Sequence, residues 1–266
     1  RGVKQDYSKA REWYEKAAKE HARAQCNLGR MYQMGMGGLP ESDELAAKWF
    51  RKAADQGNDA AQYNLAIMYS KGQCGLPKSD ELAAEWYRKA ADQGRSSAQY
   101  NLAQMYRMGM GGLPKSDELA AEWYRKAADQ GVAEAQLTMG HMYDEGKGGL
   151  PESGVLAAQW YRKAADQGLS MAQYNLALMY SDGRGGLQNY TLAVEWYRKA
   201  ADQGDAMGQF ALGCMYRVGM GGLPESDELA AKWFRKAATQ GYTKAQDQLN
   251  ILCKPPKERG GVYLIV

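Results

Sequence analysis

From Ala61 to Gly94 the chain reads AQYNLAIMYSKGQCGLPKSDELAAEWYRKAADQG. In its opening run, Ala61, Leu65, Met68, Tyr69 and Gly72 follow i, i+4, i+7, i+8 spacing, which is one stripe of an α-helix, here helix A. Gly72 stops that helix, because glycine tolerates the left-handed backbone of a helix end. The stretch QCGLPKSD is then a loop, with Gly75 for backbone freedom and Pro77 barring helical continuation. Ser79 or Asp80 is placed to cap the next helix by accepting its orphan backbone N–H groups. Helix B, ELAAEWYRKAADQ, buries Leu82, Ala83, Trp86 and Ala90, and Gly94 ends it. Small side chains at Ala83, Ala90 and Ala91 let another helix approach closely.

The same pattern returns along the chain. Trp13, Trp49, Trp86, Trp123, Trp160, Trp196 and Trp233 fall at intervals of 36 or 37 residues. Gly57, Gly94, Gly131, Gly168, Gly204 and Gly241 keep step with them, as do Tyr32, Tyr69, Tyr106, Tyr143, Tyr180 and Tyr216. Regular self-similarity of this length predicts a solenoid, since neither helix can bury its apolar stripe alone and stacked pairs supply the missing partners. The expected fold is all-α, a right-handed α/α superhelical solenoid of antiparallel helix pairs. Six full repeats start near Ala24, Ala61, Ala98, Ala135, Ala172 and Gly208 and fill residues 24–244. A half-repeat precedes them at 1–23, a final helix follows at 245–254, and a non-repeat tail occupies 255–266. The first residues, RGVKQDYSKA, align with the middle of a repeat, so a longer parent chain is expected. Core packing accounts for the tryptophans, with an aromatic binding cage as the alternative.

The recurring pattern A-Q-x-N-L-A/G-x-M-Y-x-x-G-x-G-G-L-P, followed by A-x-W-Y/F-R-K-A-A-x-Q-G, resembles the Sel1-like repeat, a relative of the tetratricopeptide repeat with a longer loop. The resemblance covers about Asp6 to Cys253. It implies a curved scaffold that binds other proteins or peptides, with no catalytic activity and no cofactor. A cysteine-rich branch of that family carries a disulfide in each repeat. Cys26, Cys74, Cys214 and Cys253 occupy four different phases here, so free thiols are expected instead. Among compartments, the resemblance slightly favours a bacterial periplasmic or secreted setting.

Matching Leu65, Ala66 and Tyr69 to the tetratricopeptide pattern implies that helix A lines the concave side. Positions 60, 63, 64, 67 and 71 of that repeat, and their equivalents, would then face a groove. One column is amide-rich: Asn27, Asn64, Asn101 and Asn175. An Asn amide both donates and accepts, so such a column can pair with the backbone of an extended peptide. The alternative is that each Asn bonds a neighbouring helix. Beside it runs an aromatic column, Tyr63, Tyr100 and Tyr174, offering contact area at low entropy cost; packing against the next helix is the other reading. The positions that change most are Arg30, Ile67, Gln104, His141, Leu178 and Cys214, flanked by Met34, Lys71, Met108, Glu145, Asp182 and Val218. Basic residues come early in that set and acidic ones late, a pattern that would orient a bound peptide.

Composition removes several other functions. Of 266 residues, 34 are Lys or Arg and 31 are Asp or Glu, interleaved without a basic run, which gives no footprint for nucleic acid. No apolar stretch reaches the roughly 20 residues of a membrane span. His21 and His141 stand at unrelated phases and, with scattered cysteines, supply no recognisable metal-ligand set. The glycine-rich GMGG turns follow a helix, not a strand, and lack the Lys-Ser/Thr ending of a phosphate loop. The SDE triplets place carboxylates at helix starts, where the helix dipole favours them without catalysis. No nucleophile with an associated base stands out, so an enzyme is not expected.

The expected partner is a protein or peptide held on the helix A surface. The alternatives are a folded target clamped by the convex or loop edge, as an inhibitor or immunity protein would do, and a spacer in a longer envelope or membrane-associated protein. The expected state is a monomer, with weak self-association possible through the apolar tail Val262–Val266. That tail also reads as a cap on the last repeat or as a truncation remnant.

Overall fold

The computed structural model describes residues 6–186 and 188–254. These residues form fourteen α-helices and no strand. The chain divides into two compact units, residues 1–132 and 133–266. The first holds α1 (Tyr7–Ala17), α2 (Ala22–Gln33), α3 (Asp43–Asp55), α4 (Asp59–Lys71), α5 (Asp80–Asp92), α6 (Ser96–Met108) and α7 (Asp117–Asp129). The second holds α8 (Ala133–Glu145), α9 (Gly154–Asp166), α10 (Ser170–Asp182), α11 (Tyr190–Asp202), α12 (Ala206–Val218), α13 (Asp227–Thr239) and α14 (Thr243–Leu252). Even-numbered helices carry the helix A pattern and odd-numbered ones the helix B pattern. Within each unit every helix packs on the one before and the one after it, the arrangement of an α/α solenoid. The apolar tail Val262–Val266 lies outside the described residues.

The ends of each helix follow from single residues. Of the two candidate caps, Ser79 is the one used: its Oγ accepts from the Leu82 N–H at 3.2 Å, while Asp80 stands inside the first turn. Ser116, Ser153, Asn189 and Ser226 do the same for α7, α9, α11 and α13. Helix A ends on a left-handed glycine, as at Gly72 and Gly109. Two residues further on, Gly111 (φ 63°) lies against the start of α5, and a Cβ there would stand 2.3 Å from the Asp80 carbonyl oxygen. Cys74 fills the corresponding position one repeat earlier at φ 60°, the one positive-φ residue other than glycine among the described residues.

Burial sets the inner faces. Ala83, Trp86 and Ala90 are buried on α5, and Ala61, Leu65, Met68 and Tyr69 on α4, as the stripes predict. Trp86, Trp123, Trp160 and Trp196 are core residues. Trp13, on α1, departs from the core reading: it is 71% exposed, since no helix of the first unit packs beyond α1. Internal tryptophans are also covered by cations. The Arg51 guanidinium lies 5.5 Å from both the Tyr69 and Trp86 ring centres, and Lys89 sits 4.0 Å over Trp86. Arg51 also donates to the Tyr69 hydroxyl, and Arg88 to that of Tyr106.

A buried glutamine ladder joins the repeats, and the periodicity of apolar residues gives no hint of it. Gln62 Nε2 donates to the Ala54 carbonyl at the end of α3 (3.2 Å), while its Oε1 accepts from Gln93 Nε2 after α5 (2.7 Å). Gln99 repeats both bonds with Ala91 and Gln130, at 3.2 and 2.8 Å. In the second unit Gln173 pairs with Ala165 and Gln203, and Gln209 with Ala201 and Gln240. Each glutamine thus adds a second donor to a helix-end carbonyl that already accepts the N–H of the glycine three residues on, and ties three successive helices together.

Candidate partner-binding face

Once the inner faces of the A helices are buried, one stripe of each remains. On α2 it runs through Arg23, Asn27 and Arg30, at i, i+4, i+7 spacing. On α4 it comprises Ala60, Tyr63, Asn64, Ile67, Ser70 and Lys71, and on α6 Tyr100, Asn101, Gln104, Arg107 and Met108. The second unit presents His141 and Glu145 on α8, then Tyr174, Asn175, Leu178 and Asp182 on α10. Arg30, Lys71, Met108, Glu145 and Asp182 are exposed, whereas Asn27, Tyr63, Asn64, Ile67, Tyr100, Asn101, Gln104, His141, Tyr174, Asn175 and Leu178 are half-buried.

The half-buried members are shared between surface and stack. Tyr63, Tyr100 and Tyr174 each tilt against a tyrosine of the following B helix, Tyr87, Tyr124 and Tyr197, with ring centres 5.9, 5.6 and 5.8 Å apart. Burial pushes the phenols of Tyr87 and Tyr124 up to about 12, so these rings stay neutral. The asparagines divide into two kinds. Asn101 bonds the Tyr87 hydroxyl, and Asn175 Nδ2 lies 3.3 Å from His141 Nε2. Asn27 and Asn64 make no side-chain hydrogen bond among the described residues. The residue facing Asn64 in the Tyr87 position is Phe50, which has no hydroxyl to offer.

His141 is tied on both ring nitrogens. Asn175 Nδ2–H donates to Nε2, which leaves Nδ1–H to donate to Tyr161 Oη at 3.0 Å. Burial lowers the imidazole below its usual range, and the carboxylates of Glu145 and Asp144 only partly oppose this. It is therefore a neutral bridging group.

Charge differs between the two units. In the first, α2, α4 and α6 carry Arg23, Arg30, Lys71 and Arg107 and a single carboxylate, Asp59. Arg95 neutralises Asp59 at 3.0 Å and lies 5.0 Å over the Tyr63 ring. In the second, α8 and α10 carry Glu134, Asp144, Glu145 and Asp182 and no cation. Three of these carboxylates are answered from the loops. Arg184 donates to both oxygens of Asp144 at 2.9 and 2.8 Å and reaches Asp182 at 3.6 Å, and Lys147 meets Glu145 at 2.6 Å. Sequence reading missed Arg184. The signal was the loop position holding Met36, Gln73, Met110 and Met220 elsewhere, which becomes Lys147 and Arg184 in the two repeats whose A helices turn acidic.

Two of the hollows in the first unit flank the A and B helices. One of about 300 Å³ lies between α1 and α2, with Asp6, Tyr7, Tyr14, Asn27, Arg30 and Met31 among its walls, so it continues the A-helix stripe. A larger one, about 740 Å³, lies over α3, with Leu45, Trp49, Lys52, Leu65, Cys74 and Leu76 on its walls. Burial and a bond to Asp43 push the Cys74 thiol up to about 11, and burial holds Cys214 at about 12. All four cysteines are free, and both of these thiols are protonated at neutral pH, which makes them poor nucleophiles. Among the described residues no cluster of His, Cys, Asp and Glu is arranged to hold a metal ion, and no helix is long and apolar enough to cross a membrane.

Comparison with known proteins agrees with this architecture. The Sel1 repeat model matches seven segments, residues 1–21, 22–58, 59–94, 96–132, 133–169, 170–205 and 206–242. The chain is similar to c5321, a protective antigen present in uropathogenic Escherichia coli strains displaying an SLR fold, with 38% identity and a TM-score of 0.86. That likeness covers 93% of this chain and 52% of the other, so the chain spans about half the length of that relative. A Sel1 repeat protein from Oxalobacter formigenes is 30% identical over 88% of this chain and 97% of its own, with a TM-score of 0.70. PilF of Pseudomonas aeruginosa, at 21% identity and a TM-score of 0.57, covering 87% and 99%, shares the fold alone. A search of curated proteins finds no match. Repeats of this type are generally non-enzymatic scaffolds for protein–protein interaction, and on seven matched segments the chain belongs to the Sel1 repeat family.

Proposed function

We propose that this chain is a non-enzymatic scaffold that binds a protein or peptide partner along the stripe of its A helices. The observation that carries the reading is the contrast within each A helix. Inner positions are near copies from repeat to repeat, whereas the outer stripe runs Arg30, Ile67, Gln104, His141 and Leu178 at one and the same phase. Half-buried aromatics and amides at Tyr63, Asn64, Tyr100 and Gln104 give such a stripe both apolar area and hydrogen-bonding capacity. Asn27 and Asn64, which no neighbour engages, are the amides best placed to pair with a partner's backbone; Asn101 and Asn175 serve the stack as well.

The hollow over α3 favours a second reading, in which a folded target seats against the B helices and the loop beside Cys74. One affinity-capture experiment separates the two. Partners retained by the wild-type chain are identified by mass spectrometry and compared with those of two variants, Arg30→Glu/Lys71→Glu and Lys48→Glu/Lys52→Glu. The A-helix reading expects a specific partner to be lost only with the first; loss only with the second moves the site to the B helices.

A further inference from the structure

We infer that the A-helix stripe of the first unit receives an acidic, extended polypeptide segment carrying a large apolar side chain; the inference rests on the reading of that stripe as the binding face. Four cations, Arg23, Arg30, Lys71 and Arg107, stand on α2, α4 and α6, and all four are exposed. Among the described residues the ion pairs of this unit are Lys9–Asp6, Arg11–Glu15 and Arg95–Asp59, so none of the four cations is neutralised. The three A helices hold one carboxylate between them, and Arg95 already occupies it. A face of one sign without counter-charges repels a basic segment and attracts an acidic one.

The three stripes are contiguous. Arg95 precedes α6 and bonds Asp59 at the start of α4, while the Cys26 thiol on α2 feels both of these groups and Arg30. Between the cations lie the amides of Asn27, Asn64 and Gln104, which match the alternating N–H and C=O groups of an extended backbone. At the α1 end the stripe runs into the 300 Å³ hollow, where Tyr7, Tyr14 and Met31 form apolar walls, Arg30 stands at the side, and the one carboxylate, Asp6, is held by the Lys9 N–H and ammonium at 3.1 and 3.6 Å. That hollow suits a large apolar side chain next to a carboxylate. Helices α8 and α10 lack this chemistry, carrying carboxylates and no cation of their own, with loop cations answering Asp144, Glu145 and Asp182.

The test is fluorescence anisotropy at low salt, using a labelled peptide in which Glu and Ser alternate around one central Phe. Companion probes replace every Glu by Gln or by Lys, and a labelled oligo-dT represents nucleic acid. The expected result is saturable binding of the Glu peptide that weakens as salt screens the charges. Arg30→Glu/Lys71→Glu/Arg107→Glu should weaken it by about tenfold or more. Lys19→Glu/Lys48→Glu/Lys52→Glu, which makes the same charge change at exposed positions before α2 and on the B helix α3, should leave it unchanged. Circular dichroism melts confirm that both variants fold.

Equal loss in the two variants overturns the proposal, as does tighter binding of oligo-dT. So does self-association, seen by sedimentation, that the stripe variant removes, since a second copy would then be the occupant. If the Gln or Lys peptide binds as well as the Glu peptide and is lost on Ile67→Asp/Gln104→Asp, the acidic assignment falls while the A-helix face stands. If no probe responds to any stripe substitution, both fall.

Discussion

Gln99 and Gln104 sit five residues apart on α6, one on its buried face and one on its outer stripe, and they obey different rules. Gln99 has counterparts at Gln25, Gln62, Gln136, Gln173 and Gln209, all buried. Gln104 has counterparts at Arg30, which is exposed, and at Ile67, His141, Leu178 and Cys214, which are half-buried. On the buried side a helix end presents a carbonyl with one lone pair still open beside its backbone bond and a neighbouring amide that needs an acceptor, and glutamine meets both. On the outer side the groups of the chain engage some members, as Asn175 and Tyr161 engage His141, but no bond recurs from repeat to repeat, so the choice there is open to answer something outside the chain. Repetition therefore marks what holds the stack, and departure from repetition marks what the stack presents.

The sharpest way to break that contrast is to exchange the two kinds of position. Gln99→Leu removes the second of two bonds to the Ala91 carbonyl, which keeps the Gly94 N–H, and leaves the Gln130 amide without its acceptor; it should lower the free energy of unfolding by about 1–2 kcal/mol in urea denaturation. Gln104→Leu should change it by less than about 0.5 kcal/mol. A small effect at Gln99 would make the ladder incidental.

A second substitution probes the loop. Cys74 holds a left-handed backbone where the other repeats place Gly37, Gly111, Gly148, Gly185 and Gly221. Cys74→Gly relieves that conformation and should stabilise the protein by about 1 kcal/mol, seen as a higher midpoint in urea.

A third concerns His141, the point where stripe and stack meet. Its neutral form is the one that bridges Asn175 and Tyr161, and burial keeps its folded pKa below the unfolded value near 6.5. The stability it contributes is therefore present above about pH 6.5 and is lost as pH falls through the folded pKa. His141→Gln, which cannot take up that proton, should flatten the fall in melting temperature between neutral and mildly acidic pH. An unchanged profile would assign the acid sensitivity elsewhere.

Much of the fold was legible because its causes are local and repeated. The 3.6-residue stripe, the Ser79-type cap and the glycine stop each depend on a few neighbouring residues, and six copies reinforce them. The tryptophan reading held where a preceding helix supplies Arg51 or Arg162 to cover the ring, and failed at Trp13, where none does. The glutamine ladder was not legible, because Gln62 and Gln93 stand 31 residues apart and neither is apolar, so no hydrophobic period includes them. The face itself was read one residue at a time. Sequence placed Asn64 and Asn101 in one column, but whether an amide is engaged depends on a hydroxyl present at Tyr87 and missing at Phe50. Likewise Glu145 and Asp182 read as free charges until Lys147 and Arg184 came back to them from the loops.

The measurement that meets the central claim most directly is site-specific photocrosslinking in the presence of the captured partner. A photoreactive phenylalanine is placed at Lys71 or Met108 on the A-helix stripe, and at Glu85 or Glu122 on exposed positions of α5 and α7. The account predicts partner adducts from Lys71 and Met108 and none from Glu85 and Glu122. Adducts from Glu85 or Glu122 alone would contradict it and put the partner on the B helices.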